Sequence, residues 1–263
     1  MNKLYERLLA RPVFRLREAE SLMPEWNPRA ARQRLKDLVS RGRVGRIGFG
    51  VYFVVLPGRT PDTTTVDPYL VASRLAPDSV LGYHTALEVL GTAYSAAATI
   101  YFVSVRYRRP MTWRGTTYRQ IRPPKPLIQR SELRFGVATQ ERDGLPVVHT
   151  GRERTLADCL DRLDLTGGLD ELSRSVEAWP KIVPEVLVEY LALLGKAALY
   201  SKVGFVLEQF AAQWGLADSD LTTFEERLPR SPVYLADRKR PSRYVRRWNL
   251  MVPQSMGQLA KPV

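Results

Sequence analysis

Apolar residues recur at helical spacing in three short stretches at the start of the chain, residues 3–9, 15–23 and 28–41. In the third stretch they fall on one helical face, at positions i, i+4, i+7 and i+8: Ala31, Leu35, Leu38 and Val39. Asn27 is a favoured N-cap, and Pro28 suits the first helical turn, where a missing N–H costs nothing. The pattern predicts a helix over residues 28–41.

A glycine-punctuated segment follows this helix directly, with Gly45, Gly48 and Gly50 among apolar residues up to Pro57. No helix follows these glycines, so a phosphate-binding glycine loop is excluded and a tight β-hairpin is favoured. Three short helices followed by a hairpin are typical of a winged helix-turn-helix. In that design the third helix lies in the major groove of DNA.

The polar face of the third helix is basic, and we predict that it binds DNA through Arg29, Arg32, Gln33, Lys36 and Ser40. Arg32 and Gln33 lie near its N-terminal end, and their side chains can bond to guanine and adenine edges respectively. Arg43, Arg46 and Arg59 flank the hairpin and are predicted to contact phosphates. Taken alone, this helix is equally compatible with a solvated charged face.

The periodic pattern breaks over residues 56–66, which are rich in Pro, Gly and Thr and predict a linker. We therefore expect a DNA-binding domain over residues 1–60 and a second domain over 66–263. In the second domain, residues 66–150 are predicted to be strand-rich and residues 151–263 helical. The expected fold class is α+β: an N-terminal winged helix-turn-helix, then a larger mixed α/β domain with a helical C-terminal layer.

The charge balance favours an acidic polymer as partner, because 40 Lys and Arg face 27 Asp and Glu, a formal net charge of +13. The excess is concentrated in three segments, residues 1–66, 106–134 and 225–263. Double-stranded DNA is the expected partner of the first segment.

The C-terminal segment contains a run of cations near Tyr244 and Trp248: Arg238, Lys239, Arg240, Arg243, Arg246 and Arg247. Arginines beside aromatic residues suit a nucleic-acid backbone, and a solvated basic patch is the equal alternative. Asp237 and Lys239, with Asp218 and Asp220 upstream, weakly match the acidic residues and lysine with which restriction-type nucleases use Mg²⁺. The basic patch is the simpler interpretation.

Other classes of function find little support. His84 and His149 are far apart in the sequence, whereas a metal centre needs several converging ligands, so we expect no metal, no cofactor and no enzymatic activity. Cys159 is the only cysteine and lies on an apolar helical face, as a buried structural thiol does. No apolar run reaches membrane length, and we expect a cytoplasmic protein with no leader segment and no membrane contact.

Several segments resemble, in family order, the AbiEi-type abortive-infection antitoxins of type IV toxin–antitoxin systems. They begin with residues 14–22 and 38–57 of the N-terminal region. The likeness continues through Glu153-Arg-Thr-Leu, Gly167-Gly168, residues 196–208 and Arg247-Trp-Asn-Leu. Gly82 stands where the family often has a serine.

The resemblance implies a bacterial phage-defence protein with two activities. Its N-terminal domain would repress its own operon by binding inverted repeats. Its C-terminal domain would counter a nucleotidyltransferase toxin without a stable complex. Two alternatives stay open: a stand-alone transcriptional regulator whose C-terminal domain dimerises or senses a ligand, and, with less support, a Mg²⁺-dependent nuclease.

Overall fold

The computed structural model describes residues 3–254, so the last nine residues of the predicted second domain lie outside the described part. The chain divides into two compact units. The first comprises Met1–Leu81, Ala98–Arg122 and Thr139–Val148, and the second comprises Gly82–Ala97, Pro123–Ala138 and His149–Val263. Helices and strands are numbered in chain order.

The first unit begins with three helices and three short strands: α1 (Lys3–Leu8), β1 (Val13–Arg15), α2 (Leu16–Ser21), α3 (Pro28–Ser40), β2 (Val44–Gly48) and β3 (Val51–Val54). The strands form an antiparallel sheet in the order β1-β3-β2. Asn27 caps α3, because its side-chain oxygen accepts a hydrogen bond from the Ala30 N–H (2.8 Å). The apolar faces of the three helices meet in one core that includes Leu8, Leu35 and Leu38.

The rest of the first unit is built on a six-stranded sheet in the order β6-β7-β5-β4-β9-β8. Its elements are α4 (Pro68–Leu75), β4 (Val80–Leu81), β5 (Thr99–Val103), β6 (Met111–Trp113), β7 (Thr116–Ile121), β8 (Val137–Arg142) and β9 (Leu145–Thr150). Strands β5 and β7 are parallel, whereas β6 and β4 run antiparallel to their neighbours β7 and β5. The first residues of β8 and the last of β9 fall in the second unit.

The predicted linker at residues 56–66 does not separate the two compact units. Arg15, at the end of β1, donates hydrogen bonds to the carbonyls of Ser73, Arg74 and Ala76 (2.7–2.9 Å) and so ties the N-terminal elements to the end of α4. The Phe53 ring packs against Trp113 at 5.6 Å between centroids. These contacts join segments that are distant in sequence, which is why the local composition did not reveal them.

The second unit contains eight helices among its described residues: α5 (His84–Val89), α6 (Lys125–Gln129), α7 (Arg152–Asp161), α8 (Leu169–Glu177), α9 (Pro184–Leu194), α10 (Ala197–Gln209), α11 (Ala211–Trp214) and α12 (Asp218–Glu225). Three strands follow: β10 (Val233–Tyr234), β11 (Ser242–Val245) and β12 (Leu250–Pro253), in the order β10-β12-β11. The prediction of a helical region over residues 151–263 therefore does not include these three strands. These strands are two to four residues long, too short for a reliable alternating pattern.

The core of the second unit packs large aromatic side chains between helices. Trp179, Tyr190, Phe210 and Trp248 are almost fully buried. Gly204 of α10 makes room for the Trp248 ring, because a Cβ at that glycine would lie 2.1 Å from a ring atom. The C-terminal strands are thereby fixed to α10.

The whole chain is a mixed α/β protein, as the sequence predicts at that level. None of the helices in residues 3–254 combines the length and the apolar composition needed to cross a bilayer.

Candidate nucleic-acid interface

The outward face of α3 is basic along its length. Arg29, Arg32, Gln33, Lys36 and Ser40 are all exposed, whereas Ala31, Leu35 and Leu38 on the opposite face are buried. The helix contains a single acidic residue, Asp37. Its carboxylate accepts a hydrogen bond from Gln33 Nε2 (3.1 Å) and lies 3.8 Å from Arg34 Nη1. The helix therefore presents an excess of positive charge on the side away from its core.

The hairpin of β2 and β3 stands beside this face. Its two-residue turn, Phe49-Gly50, has positive φ at both positions (51° and 76°), as type I′ turns do. Positive φ is strained for a bulky residue such as Phe49. The Phe49 side chain is 47% exposed at the tip of the hairpin. Gly45 allows close packing behind the tip, since a Cβ there would lie 2.0 Å from the Phe53 ring.

A groove of about 360 Å³ separates α3 from the hairpin. Its floor is apolar and includes Leu35 and Tyr52, and its rim carries Arg32, Lys36 and Arg46. The cations of helix and hairpin thus face one concave surface. Such a surface suits the negatively charged ridge of a nucleic-acid backbone.

The two predicted base-reading side chains are already engaged with carboxylates. Arg32 Nε donates to Glu20 Oε1 of α2 (2.7 Å), and the Arg32 side chain is 56% exposed. Gln33 is held by Asp37, as described above. Both bonds lie at the surface, and the ion pair between Arg32 and Glu20 is worth at most ~1 kcal/mol there. A DNA acceptor can therefore replace them at small cost.

The other predicted DNA contacts are exposed as well. The Arg43 guanidinium lies over the Tyr5 ring, 5.6 Å from its centroid. Arg46 lies on β2, and Arg59 follows the hairpin. All eight predicted residues are thus accessible: Arg29, Arg32, Gln33, Lys36, Ser40, Arg43, Arg46 and Arg59.

The predicted C-terminal basic patch is only partly accessible. Five of its members are exposed before, on or directly after β11: Arg238, Lys239, Arg240, Arg243 and Arg246. Arg238 lies over the Tyr234 ring at 5.4 Å, and Tyr244 is 52% exposed. These exposed cations and the neighbouring aromatic rings form the type of basic surface that the sequence predicts.

Arg247 has a different role from the one predicted. Its guanidinium contacts the carboxylates of Asp218 (2.5 Å), Glu225 (2.5 Å) and Glu208 (2.8 Å). Hydrogen bonding to Asp218, followed by that to the two glutamates, raises the pKa of Arg247. Its neighbour Trp248 is fully buried and donates to Glu208 (2.7 Å). Arg247 and Trp248 therefore connect the C-terminal strands to α10 and α12.

The acidic residues of the nuclease alternative serve local structure. Asp218 is bound by Arg247, Asp220 accepts from the Ala217 N–H at the start of α12 (2.9 Å), and Asp237 accepts from the Lys239 N–H (3.0 Å). Within residues 3–254, no three acidic, histidine or cysteine side chains are grouped so that they could hold a metal ion.

The second unit contains a polar cavity that the sequence analysis did not identify. It measures about 450 Å³ and lies at the Gly167-Gly168 turn, with Lys202 and Arg240 as its cations. Burial lowers the pKa of Lys202, whose Nζ donates to the Leu160 carbonyl (3.0 Å). Two of the three acidic residues of the wall form ion pairs, Asp161 with Lys196 (2.5 Å) and Asp164 with Arg162 (2.7 Å), and the third, Asp237, accepts from the Lys239 N–H (3.0 Å). The lining comes from separate segments, so no local sequence motif marked it.

The Glu153-Arg154-Thr155-Leu156 segment of the family resemblance lies in the core of the second unit. Arg154 is 1% exposed and donates to the carbonyls of Leu133 (2.9 Å) and Phe135 (2.7 Å). Its partner Asp158 accepts from the Tyr190 hydroxyl (2.6 Å). This segment therefore joins α7 to α9 and to the loop that follows α6.

The remaining titratable candidates are buried. Cys159 is buried, as predicted, and burial raises the pKa of its thiol to about 12. His84 lies between Glu88 (3.7 Å) and Glu171 (3.3 Å). Burial lowers the pKa of His149. Neither histidine joins a metal-binding group among the described residues.

Comparison with known proteins defines a fold neighbour. No family model matches the chain, and no curated protein matches it. The crystal structure of the Rv2827c protein from Mycobacterium tuberculosis is similar, with a TM-score of 0.58 and 16% identity over 95% of this chain and 90% of that chain. At this level of identity the similarity concerns the fold alone.

Proposed function

We propose that residues 3–55 act as a winged helix-turn-helix that binds double-stranded DNA at the promoter of the protein's own operon. The observation that carries the proposal is the continuous basic surface formed by the outward face of α3 and the groove shared with the hairpin. The helix is long enough to enter a major groove, and its cations are not neutralised by a matching set of acids.

The roles of the residues follow from their positions. Arg32 and Gln33 lie in the N-terminal half of α3 and would exchange Glu20 and Asp37 for base edges. Arg43, Arg46 and Lys36 lie beside the groove or at the hairpin base and would bind phosphates, which fix the register of the protein on DNA.

The decisive experiment compares the full-length protein with its Arg32→Ala and Gln33→Ala variants on the upstream promoter duplex and on a scrambled duplex. Each variant should lose ~1–3 kcal/mol of affinity for the promoter and little for the scrambled DNA. Arg34→Ala is the control for Arg32→Ala, because Arg34 is an exposed arginine of the same helix that does not line the groove. Equal losses on both duplexes would show that the two residues do not read bases.

We further propose, from the AbiEi resemblance, that the protein is the antitoxin of a phage-defence system and counters a nucleotidyltransferase toxin encoded beside it. The five exposed cations Arg238, Lys239, Arg240, Arg243 and Arg246 are its candidate nucleic-acid surface. Expression of the full chain should rescue cells from the neighbouring toxin, and Arg243→Glu with Arg246→Glu should impair rescue while promoter repression persists. A flanking gene of another class would contradict this part of the proposal.

A second candidate function is a regulator that senses a small molecule. The cavity beside Lys202 and Arg240 favours it, because two cations line it while two of its three acidic residues, Asp161 and Asp164, are paired with cations outside the cavity. Mass spectrometry of small molecules retained by the purified full-length protein tests it. A molecule that is retained by the wild type and lost with Lys202→Ala and Arg240→Ala would support this function, and an empty wild-type protein would oppose it.

A further inference from the structure

A short loop between β5 and β6 in the first unit carries three arginines and one tyrosine in succession: Arg106, Tyr107, Arg108 and Arg109. Tyr107 is 72% exposed, and Arg106 and Arg109 are exposed beside it. Residues 104–118 contain no acidic residue. We call residues 105–110 the basic loop.

The base of the basic loop is fixed by hydrogen bonds. Asp78 accepts from the Ser104 hydroxyl (2.7 Å) and from the Val105 N–H (2.8 Å), so its carboxylate is occupied by the loop itself. Arg108 Nε donates to the carbonyl of Leu75 at the end of α4 (3.0 Å). In the described part of the chain, neither Arg106 nor Arg109 forms an ion pair. The loop therefore holds two uncompensated cations on a preorganised backbone.

The basic loop lies against the tip of the β2–β3 hairpin. The Arg108 guanidinium is 5.9 Å from the centroid of the Phe49 ring. Met111, the first residue of β6, packs so closely that a Cβ on Gly48 would lie 2.8 Å from its sulfur atom. The hairpin thus has α3 and the groove on one side and the basic loop at its tip. Together they form one surface of the first unit.

We propose that the basic loop is a second DNA-binding element, which holds the phosphate backbone of the same duplex beyond the segment covered by α3 and the hairpin. Arginine forms bidentate bonds with phosphate, and an aromatic ring between arginines suits a sugar or an exposed base. Continuity with the α3 surface favours DNA over any other acidic partner. This inference rests on the proposed DNA-binding function and adds a contact that lengthens the bound site.

The test uses the full-length protein with Arg106→Ala and Arg109→Ala combined. Arg108 stays unchanged, because its bond to Leu75 supports the loop. On promoter duplexes with long flanks, the double variant should lower the slope of log affinity against log salt by about 1.8, from ~0.9 for each phosphate contact. On duplexes trimmed to the bases that α3 and the hairpin cover, variant and wild type should bind alike. Hydroxyl-radical footprinting should show a protected flank in the wild type that the variant loses.

The matched control is Arg130→Ala with Arg134→Ala. It removes the same formal charge from the same basic segment of the sequence, but both residues are exposed in the second unit. This control should leave the slope and the footprint unchanged.

Three outcomes overturn the inference. If the wild type binds DNA and the loop variant has the same salt slope as the wild type, the loop contact is refuted and the proposed function stands. If the loop variant and the control variant lower the salt slope equally, the effect comes from the total charge of the protein and not from the loop. Failure of the wild type to bind any duplex refutes both the proposed function and the loop contact.

Discussion

The two basic regions of this protein have similar composition, but an arginine of one, Arg247 in the C-terminal segment, lies in an environment opposite to that of the α3 arginines. On α3 and the hairpin, arginines face solvent and meet few carboxylates. In the C-terminal segment, Arg247 is surrounded by the carboxylates of Glu208, Asp218 and Glu225, and Trp248 beside it is buried. The difference shows that a run of cations in a sequence becomes a surface only where no distant acidic residues fold onto it.

The energetics of the two regions differ for the same reason. The Arg32–Glu20 pair is a single bond at the surface, which solvent screens and a phosphate or a base can replace. Arg247 is shared by three carboxylates with only 32% of its side chain exposed. Removing that guanidinium leaves three negative charges close together. Arg32 is therefore available for exchange with a ligand, while Arg247 stabilises the fold.

The largest effect is expected from Trp248→Ala. The ring is fully buried against Gly204, so its removal should cost about 3–5 kcal/mol of stability through lost burial and the cavity left behind. Thermal unfolding of the full-length protein measures the loss. Tyr244→Ala, which removes an exposed aromatic ring from the same segment, is the control and should change little. If both variants have similar melting temperatures, the Trp248 ring does not contribute to the core in the way described.

A smaller loss of stability is expected from Arg247→Met. Breaking a fully buried ion pair costs ~3–5 kcal/mol, and partial exposure here should reduce the loss to about 2–3 kcal/mol. Arg246→Met is the matched control, since Arg246 is adjacent and exposed. Denaturant unfolding of both variants gives the two values. If the Arg247 variant is as stable as the wild type but fails to bind nucleic acid, Arg247 is a ligand contact of the basic patch and not a stabilising residue.

Arg46→Ala tests the other region and should leave stability unchanged. Loss of a charged hydrogen bond to phosphate should weaken binding to every DNA sequence by about 1–2 kcal/mol and lower the salt slope by ~0.9. Salt titrations of binding on promoter and scrambled duplexes measure both quantities. Arg238→Ala serves as the comparison, because Arg238 is an equally exposed arginine of the C-terminal patch. An unchanged slope for Arg46→Ala would place the hairpin away from DNA.

The smallest effect, and the one of opposite sign, is expected from Glu20→Gln. This change releases Arg32 from its carboxylate partner and should raise DNA affinity by up to about fivefold, equivalent to ~1 kcal/mol. Adding Arg32→Ala to the same protein should abolish the gain. If the gain persists without Arg32, Glu20 acts on DNA by general repulsion and not through Arg32.

The helical segments near their predicted positions show what local sequence determines. Helix α3 begins at Pro28 after the Asn27 cap, as predicted, and helices α4 and α9 likewise begin at a proline. Caps, prolines and apolar periodicity act within a few residues, so they can be identified without knowing the fold. The same holds for the buried Cys159 and for the basic outward face of α3.

Tertiary structure decided which distant segments meet. Arg15 reaches carbonyls 58 to 61 residues away, and Arg247 binds acids 22 to 39 residues away. The basic loop comes to lie beside the hairpin by the same kind of contact. Charge and polarity are properties of a residue, but exposure and pairing depend on everything that folds against it. The sequence by itself therefore determined the helices and the cations of this protein, while the packing of remote segments decided which cations remain open to a partner.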